Sequence, residues 1–200
     1  MYPQAEHQRL AGVIAAAWGN DQVERPPLPF ESWVRGVAVH DRAYGELDED
    51  QIGAVAPERW IEIQTPAVEP QAGDPVVDLV VAMHVQRLAD DFVELDAHVP
   101  DRLADAGVDP ADAAAGDVIT NLCDTLSFTF CFEEPASGSI GSFSYTVDAG
   151  GSATLAPWPL SVPELTEMVV GYRADGYPER LDPVGRVFRL APPPGLASPA

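Results

Sequence analysis

The sequence contains no lysine, so all 11 of its basic residues are arginines, and they face 32 aspartates and glutamates. The resulting net charge of −21 repels polyanions, and no window clusters positive charge as nucleic-acid binding requires. We therefore exclude a nucleic-acid polymer as a partner. The surplus of carboxylates favours adaptation to a salt-rich cytoplasm, in addition to the codon bias of a GC-rich genome, because such carboxylates stay hydrated and screened in salt.

Long hydrophobic runs are also missing. No stretch approaches the roughly 18 consecutive apolar residues of a membrane span, and residues 1–9 lack the basic start and apolar run of a secretory signal. We expect a cytoplasmic protein that does not enter a membrane. The two cysteines, Cys123 and Cys131, are too few for a disulfide framework and lack metal-finger spacing, so we interpret both as core thiols.

The apolar content is sufficient for one domain with a hydrophobic core, since 46% of the 200 residues are hydrophobic. Asp-Pro pairs at Asp74 and Asp109 are typical of helix starts. Periodic apolar positions predict helices over residues 4–18, 30–44, 75–95, 101–106 and 110–130. The acidic, proline-rich stretch 45–73 offers only a short apolar piece at 60–63.

The last third of the chain changes to glycine, serine and alternating apolar residues. This pattern predicts a β-hairpin over 143–147 and 153–155 and further strands at 168–172 and 187–190. We therefore predict a mainly α fold. Its parts are a helical body over 1–134, a small antiparallel β element over 135–191 packed on that body, and a disordered proline-rich tail over 192–200.

Histidine is rare, and this makes the position of each one informative. Of the four, three fall in predicted helices: His7, His40 and His84. His98 looks like a loop residue. Asp41 follows His40 directly in a mostly apolar run, and Asp124 lies at the margin of the core stripe of the last long helix. The intervals between these groups each accommodate one helix and its connection, so four helices could bring them to a shared point.

Neutral imidazoles and ionised carboxylates together suit a divalent transition metal, which would lower the pKa of a bound water toward neutrality. We expect one divalent ion, of iron, manganese, zinc or magnesium. The candidate ligands are His7, His40, Asp41, His84 and Asp124.

The same region offers groups for catalysis and for substrate binding. Asp41 and His84 are the candidate catalytic residues. Arg42 and Arg87 are candidates for binding a small anionic substrate, because a guanidinium binds anions with two parallel hydrogen bonds. Arg87 also lies three residues after His84, on the same helical face.

The order of a histidine, a later His-Asp pair and a distant aspartate resembles the HD-domain superfamily of metal-dependent phosphohydrolases. The matching positions are His7, His40-Asp41 and Asp124, with His84 as an additional ligand of the kind found in multi-histidine branches. Stretches 6–20, 40–44, 78–88 and 121–132 are also similar to an uncharacterised bacterial family. The resemblance implies an HD-like helical bundle that hydrolyses a small phosphorylated or otherwise anionic molecule.

Two other interpretations stay open. Buried histidines are often only hydrogen-bonded core residues, so these groups could organise a non-catalytic helical domain that binds a ligand or a partner. Nucleophilic catalysis by Cys123 or a serine is less consistent with the sequence, because no Gly-x-Ser-x-Gly elbow and no phosphate-binding glycine-rich loop occur. Convergence of the ring nitrogens and carboxylates on one point would distinguish a metal site from a core arrangement.

Overall fold

The computed structural model describes residues 2–44, 55–71, 73–89, 98–132, 135–177 and 179–195. The helices in these ranges are α1 (Gln4–Ala16), α2 (Phe30–Val37), α3 (Pro57–Val68), α4 (Pro75–Leu88), α5 (His98–Ala106) and α6 (Pro110–Cys131). A short 3-10 helix, Arg42–Tyr44, lies between α2 and α3. The strands are β1 (Ala136–Ile140), β2 (Phe143–Val147), β3 (Ser152–Ala156), β4 (Leu165–Tyr172) and β5 (Pro183–Ala191).

Helices α4 and α6 begin at the residues that the sequence indicates. The side chains of Asp74 and Asp109 each accept a hydrogen bond from the backbone N–H two residues later. The proline that follows each cap lacks an N–H at a position where it would have no helical partner. These two starts fix where α4 presents His84 and where α6 presents Asp124.

Helix α2 is shorter than predicted, because it ends at Val37 and not near residue 44. His40 and Asp41 lie in the turn that follows. The His40 ring lies 2.7 Å from the Val37 carbonyl, one of the carbonyls left without a helical partner at the helix end. The apolar spacing predicts a helix to residue 44, but the helix ends about two turns earlier, and the His40 ring caps that end.

Three further features of the helices differ from the sequence prediction. His98 begins helix α5 and is not a loop residue. Helix α3 was not predicted, because an internal proline, Pro66, and acidic neighbours obscured the start signal of Pro57. Helix α4 ends at Leu88, and most of its predicted extension to residue 95 lies outside the described residues.

The strands form one five-stranded sheet in the order β1-β2-β3-β5-β4. Neighbouring strands are antiparallel except β3 and β5, which are parallel. The predicted hairpin is β2 and β3, but the expectation of a small antiparallel element was wrong. Strand β1 has no alternation of apolar residues in its sequence, and the β3–β5 pairing joins residues far apart in the chain, so neither could be predicted from local pattern.

Helices and sheet share a core, which is why the mainly α prediction was wrong. The described chain is about 47% helix and 20% strand and is an α/β protein. Fully buried residues from both kinds of element belong to one cluster, including Leu10, Ile14, Leu122, Leu126, Leu155 and Phe188. The domain division at residue 134 and the disordered tail stay predictions, and residues 196–200 lie outside the described chain.

Helix α4 lies between two hydrophobic clusters. Val80 belongs to the large cluster that includes the sheet, whereas Val81 and Val85 belong to a smaller one with residues of α3 and α5, such as Val68 and Val99. Burial on both sides explains why the first half of α4 is apolar nearly all round. Within the described residues, no helix has the length and apolarity needed to cross a bilayer.

Close packing of α1 on the turn after α2 generates a test of the fold. A Cβ atom at Gly12 would lie 2.6 Å from the Cβ of Ala38, which is two residues before His40. We therefore expect Gly12→Ala to lower the free energy of unfolding by about 1–3 kcal/mol, measured by urea denaturation. Ala16→Ser, at an exposed position of the same helix, is the control. Equal stability of the two variants would contradict this packing.

Candidate metal centre

Five of the predicted residues meet at one point between α1, α4, α6 and the turn after α2. They are His7 of α1, His40 and Asp41 of the turn, His84 of α4 and Asp124 of α6. His7, His40, Asp41 and His84 are buried, and the Asp124 side chain is 14% exposed. The ring nitrogens and carboxylates of these residues therefore lie close together in the fold.

Two carboxylate oxygens lie at nearly equal distances from two imidazole nitrogens. The Nε2 atoms of His7 and His40 are 3.2 Å apart. Asp124 Oδ1 lies 3.2 Å from the first and 3.3 Å from the second, and Asp41 Oδ2 lies 3.4 Å and 3.6 Å from them. Ligand atoms about 2.1 Å from one ion stand about 3.0–3.4 Å apart in octahedral and tetrahedral shells. We call these atoms the four-atom cluster. The spacing of the His7, His40 and Asp124 atoms fits one first-row divalent cation, and Asp41 Oδ2 lies slightly further from both nitrogens.

Hydrogen bonds behind the two rings determine their tautomers. His40 Nδ1 lies 2.7 Å from the Val37 carbonyl, which can only accept, so the ring proton is on Nδ1. The hydroxyl of Ser127 donates to the Asp124 carbonyl at 2.9 Å and so accepts from His7 Nδ1, also at 2.9 Å. Both Nε2 atoms therefore carry lone pairs, as metal ligation by histidine requires.

While both rings are neutral, the four-atom cluster thus consists of hydrogen-bond acceptors alone, and two of them are charged. Buried acceptors at these distances require a cation, either a proton or a metal ion. Burial lowers the pKa of His7, but hydrogen bonds with Asp124 and Asp41 outweigh it and raise this pKa to about 9. Burial raises the pKa of Asp41, but the charges of His84 and His40 outweigh it and hold this pKa below its ordinary value. The Asp124 pKa is lowered against burial chiefly by His40.

His84 is bound differently from the other two rings. Its Nε2 lies 2.7 Å from Asp41 Oδ1, and its Nδ1 accepts from Arg87 Nη2 at 2.9 Å. The proton is therefore on Nε2 and is donated to Asp41. A group of His40, Asp41 and His84 also offers atoms within 4.8 Å of one another, but both ring nitrogens of His84 have partners. This histidine consequently borders the four-atom cluster.

The two predicted substrate arginines lie in different places. Arg87 contacts Asp124 at 3.4 Å and also forms an ion pair with Asp117, so it belongs to the site. Arg42 lies 2.8 Å from Asp78 and donates to the carbonyl of Ala67, so its described contacts attach α3 to α4.

A cleft of about 530 Å³ opens beside the cluster. Its lining residues are Gln4, Asp41, Tyr44, His84, Arg87, Leu88, Asn121, Asp124, Thr125, Phe128 and Phe132. Gln4, Phe128 and Ser127 were not among the residues predicted from the sequence. Ser127 had a detectable signal, because it is a polar residue beside the core stripe of α6; the other two face a cleft formed only by the fold.

Residues 1–173 match the model of a family described as "Protein of unknown function (DUF3891)". The chain belongs to this family. The DUF3891 description names no activity and gives no evidence for an HD domain, and the five-stranded mixed sheet is not an HD helical bundle. The HD resemblance was therefore wrong, as was the expectation of an all-helical, HD-like protein, and the comparisons offer no evidence for a hydrolase. No curated protein and no solved structure matches the chain.

The raised pKa of His7 generates a prediction for the metal-free DUF3891 protein. The folded pKa of about 9 exceeds the ordinary value of 6.5, so protonation stabilises the fold fully below pH 6.5, and this is lost as pH rises through about 9. We expect a loss of about 3 kcal/mol between these limits, measured by urea denaturation with a chelator present. His7→Gln should remove most of this pH dependence; an unchanged slope in that variant would contradict the assignment.

Proposed function

We propose that this protein is a metal-dependent hydrolase that acts on a small anionic molecule, with one divalent ion in the four-atom cluster. The observation that carries the proposal is that one oxygen of Asp41 and one of Asp124 each lie 3.2–3.6 Å from both Nε2 atoms, while groups on the far side of the rings place the ring protons on Nδ1. Two nitrogen and two oxygen ligands suit iron, manganese or zinc better than magnesium, which prefers oxygen.

The cleft supports a catalytic role for the ion rather than a structural one. Asp41 and Asp124 line the cleft, whereas His7 and His40 do not, so the carboxylate side of the cluster borders the cleft. Catalytic sites keep such an open position for water or substrate, whereas structural sites are closed by protein ligands. A divalent ion at this point would lower the pKa of a bound water toward neutrality.

His84 is suited to proton transfer. Asp41 Oδ1 fixes the ring through Nε2, and His84 lines the cleft. Arg87 donates to the remaining nitrogen, Nδ1. An anion that draws the guanidinium toward itself would free Nδ1 to accept a proton from the attacking water. Asp41 would thus bind the ion through one oxygen and orient His84 through the other. Arg87 would link substrate binding to catalysis, because His84 Nδ1 can accept a proton only after Arg87 has moved away.

Metal content tests the proposal directly. We expect protein purified without added metal to contain about one ion per chain. His40→Ala and Asp41→Ala should each lose most of it, because the first removes a nitrogen ligand and the second an oxygen ligand. Elemental analysis is the measurement. The control is His98→Ala, since His98 lies in α5 near Glu69, at 3.7 Å, away from the cluster. Folded wild-type protein that takes up no metal at any refilling concentration would end the hydrolase proposal.

Separate variants test the proton-transfer role. We expect His84→Gln to keep the metal but to lower kcat by about 10²–10⁴-fold, the range typical of a general base, and to lose the acidic limb of the pH profile. The assay follows hydrolysis of 4-nitrophenyl phosphate and bis(4-nitrophenyl) phosphate. Arg87→Met should raise the KM for both esters, because it removes the guanidinium that would bind the anion. Arg59→Met is its control, because Arg59 is exposed and pairs with Glu62 three residues later.

The outcomes separate three cases. Loss of metal in His84→Gln would make His84 a ligand, and unchanged kcat would remove it from proton transfer. Stoichiometric metal without hydrolysis of either ester would favour the alternative of a non-catalytic domain that binds a ligand or partner.

A further inference from the structure

The cleft beside the four-atom cluster has an exposed aromatic wall. Phe128 is 43% exposed and Leu88 is 47% exposed. The Phe128 ring stacks on Phe132 with ring centroids 3.9 Å apart and planes 18° apart. The same ring meets His7 edge-on at 5.8 Å, so the aromatic wall begins next to a ligand of the cluster. A flat ring can stack on such a wall while a group attached to it reaches the ion.

The charges in the cleft limit the charge of the ligand. The carboxylates of Asp41 and Asp124 balance a divalent ion, and Arg87 is paired with Asp117. The lining residues therefore supply no surplus positive charge. Because the site with its ion is neutral, every negative charge on a ligand is added beside buried carboxylates, so a singly charged group binds at a smaller electrostatic cost than a doubly charged one.

The amide of Gln4 supplies an independent observation. Gln4 is 3% exposed and lines the cleft, and its Oε1 has no hydrogen-bond partner among the described residues. A buried acceptor without a partner destabilises the fold. An N–H or O–H group on a ligand in the cleft would remove that penalty.

We propose that the substrate is a flat aromatic compound with one negative charge, an inference that rests on the proposed metal site. Its ring stacks on Phe128, its singly charged group binds at the ion and Arg87, and an N–H or O–H donor on or near the ring pairs with Gln4. Aliphatic anions and dianionic monoesters are poorer ligands for this cleft.

Binding of three phosphonates to metal-loaded protein at pH 8.5 tests the proposal by calorimetry. Methyl phenylphosphonate has a ring and one charge, phenylphosphonate has a ring and two charges, and methyl methylphosphonate has one charge and no ring. We expect the first to bind at least about tenfold tighter than either of the others. Equal affinities, a reversed order or no binding at millimolar concentration would overturn the inference.

This experiment is independent of turnover, because it measures binding alone. The metal content, determined first, distinguishes the two failures. Protein without metal would overturn the proposed function together with this inference. Protein with stoichiometric metal but without the expected order of affinities would overturn the inference alone.

Two variants assign the preference to its residues. Phe128→Leu should reduce the affinity for methyl phenylphosphonate about tenfold and leave that for methyl methylphosphonate unchanged, with Val118→Ala on the same helix as the control. Of the three aminophenyl isomers of the ring probe, at least one should bind several-fold tighter than the parent, and Gln4→Met should abolish this gain. Gln4→Met should also raise the Tm of the ligand-free protein. A lowered Tm, or no gain with any isomer, would show that Gln4 is only structural.

Discussion

The site depends on the four-atom cluster, in which two imidazole nitrogens and two carboxylate oxygens are buried close together. The Nε2 atoms of His7 and His40 are 3.2 Å apart, and one oxygen of Asp41 and one of Asp124 lie 3.2–3.6 Å from these nitrogens. Without a cation between them, these atoms would repel one another. Hydrogen bonds to the Nδ1 atoms, on the other side of each ring, hold the two imidazoles in place. The carbonyl of Val37 and the hydroxyl of Ser127 hold the rings, so that the sites of the protons are settled by groups that never contact an ion.

The sheet serves this arrangement although it contributes none of the candidate ligands. Helix α1, which carries His7, is attached to the edge strand β4 by polar contacts. Arg9 pairs with Glu167 at 2.7 Å, and Glu6 accepts from the backbone N–H of Val170 at 3.0 Å. Helix α1 thus contacts both α6 and the sheet. The β-rich third of the chain is thus part of the scaffold of the site.

The residues that converge at the cluster could be predicted from the sequence, because histidine is rare in this chain and is unexpected in apolar segments. Histidines in an apolar run, one of them followed by an aspartate, have little reason to be there unless they have partners. Asp124 gave the weakest signal, since Asp117 and Asn121 on the same face favoured a solvated position. Arg87 was predicted from its spacing to His84, but its contacts with Asp117 and Asp124 depend on how α4 packs against α6.

The larger architecture could not be predicted in the same way. The His, His-Asp, Asp order records which groups are present, but not how their helices pack, and it led to the wrong fold family. The parallel pairing of β3 with β5 depends on residues more than thirty positions apart, such as Ser152 and Arg189, and local periodicity carries no information about such pairs. The early end of α2 is accompanied by a contact of the His40 ring with the Val37 carbonyl, and a contact of this kind leaves no periodic signal in the sequence.

The position of α4 between two hydrophobic clusters has a consequence for local stability. One side of the helix packs through Val80 into the core that includes the sheet, and the other packs through Val81 and Val85 against residues of α3 and α5. Separate clusters open with separate free energies, as amide exchange detects in other proteins. His84, the histidine suited to proton transfer, is therefore on a helix that packs against both clusters. Local opening of the smaller cluster would loosen one side of this helix and leave the larger cluster in place.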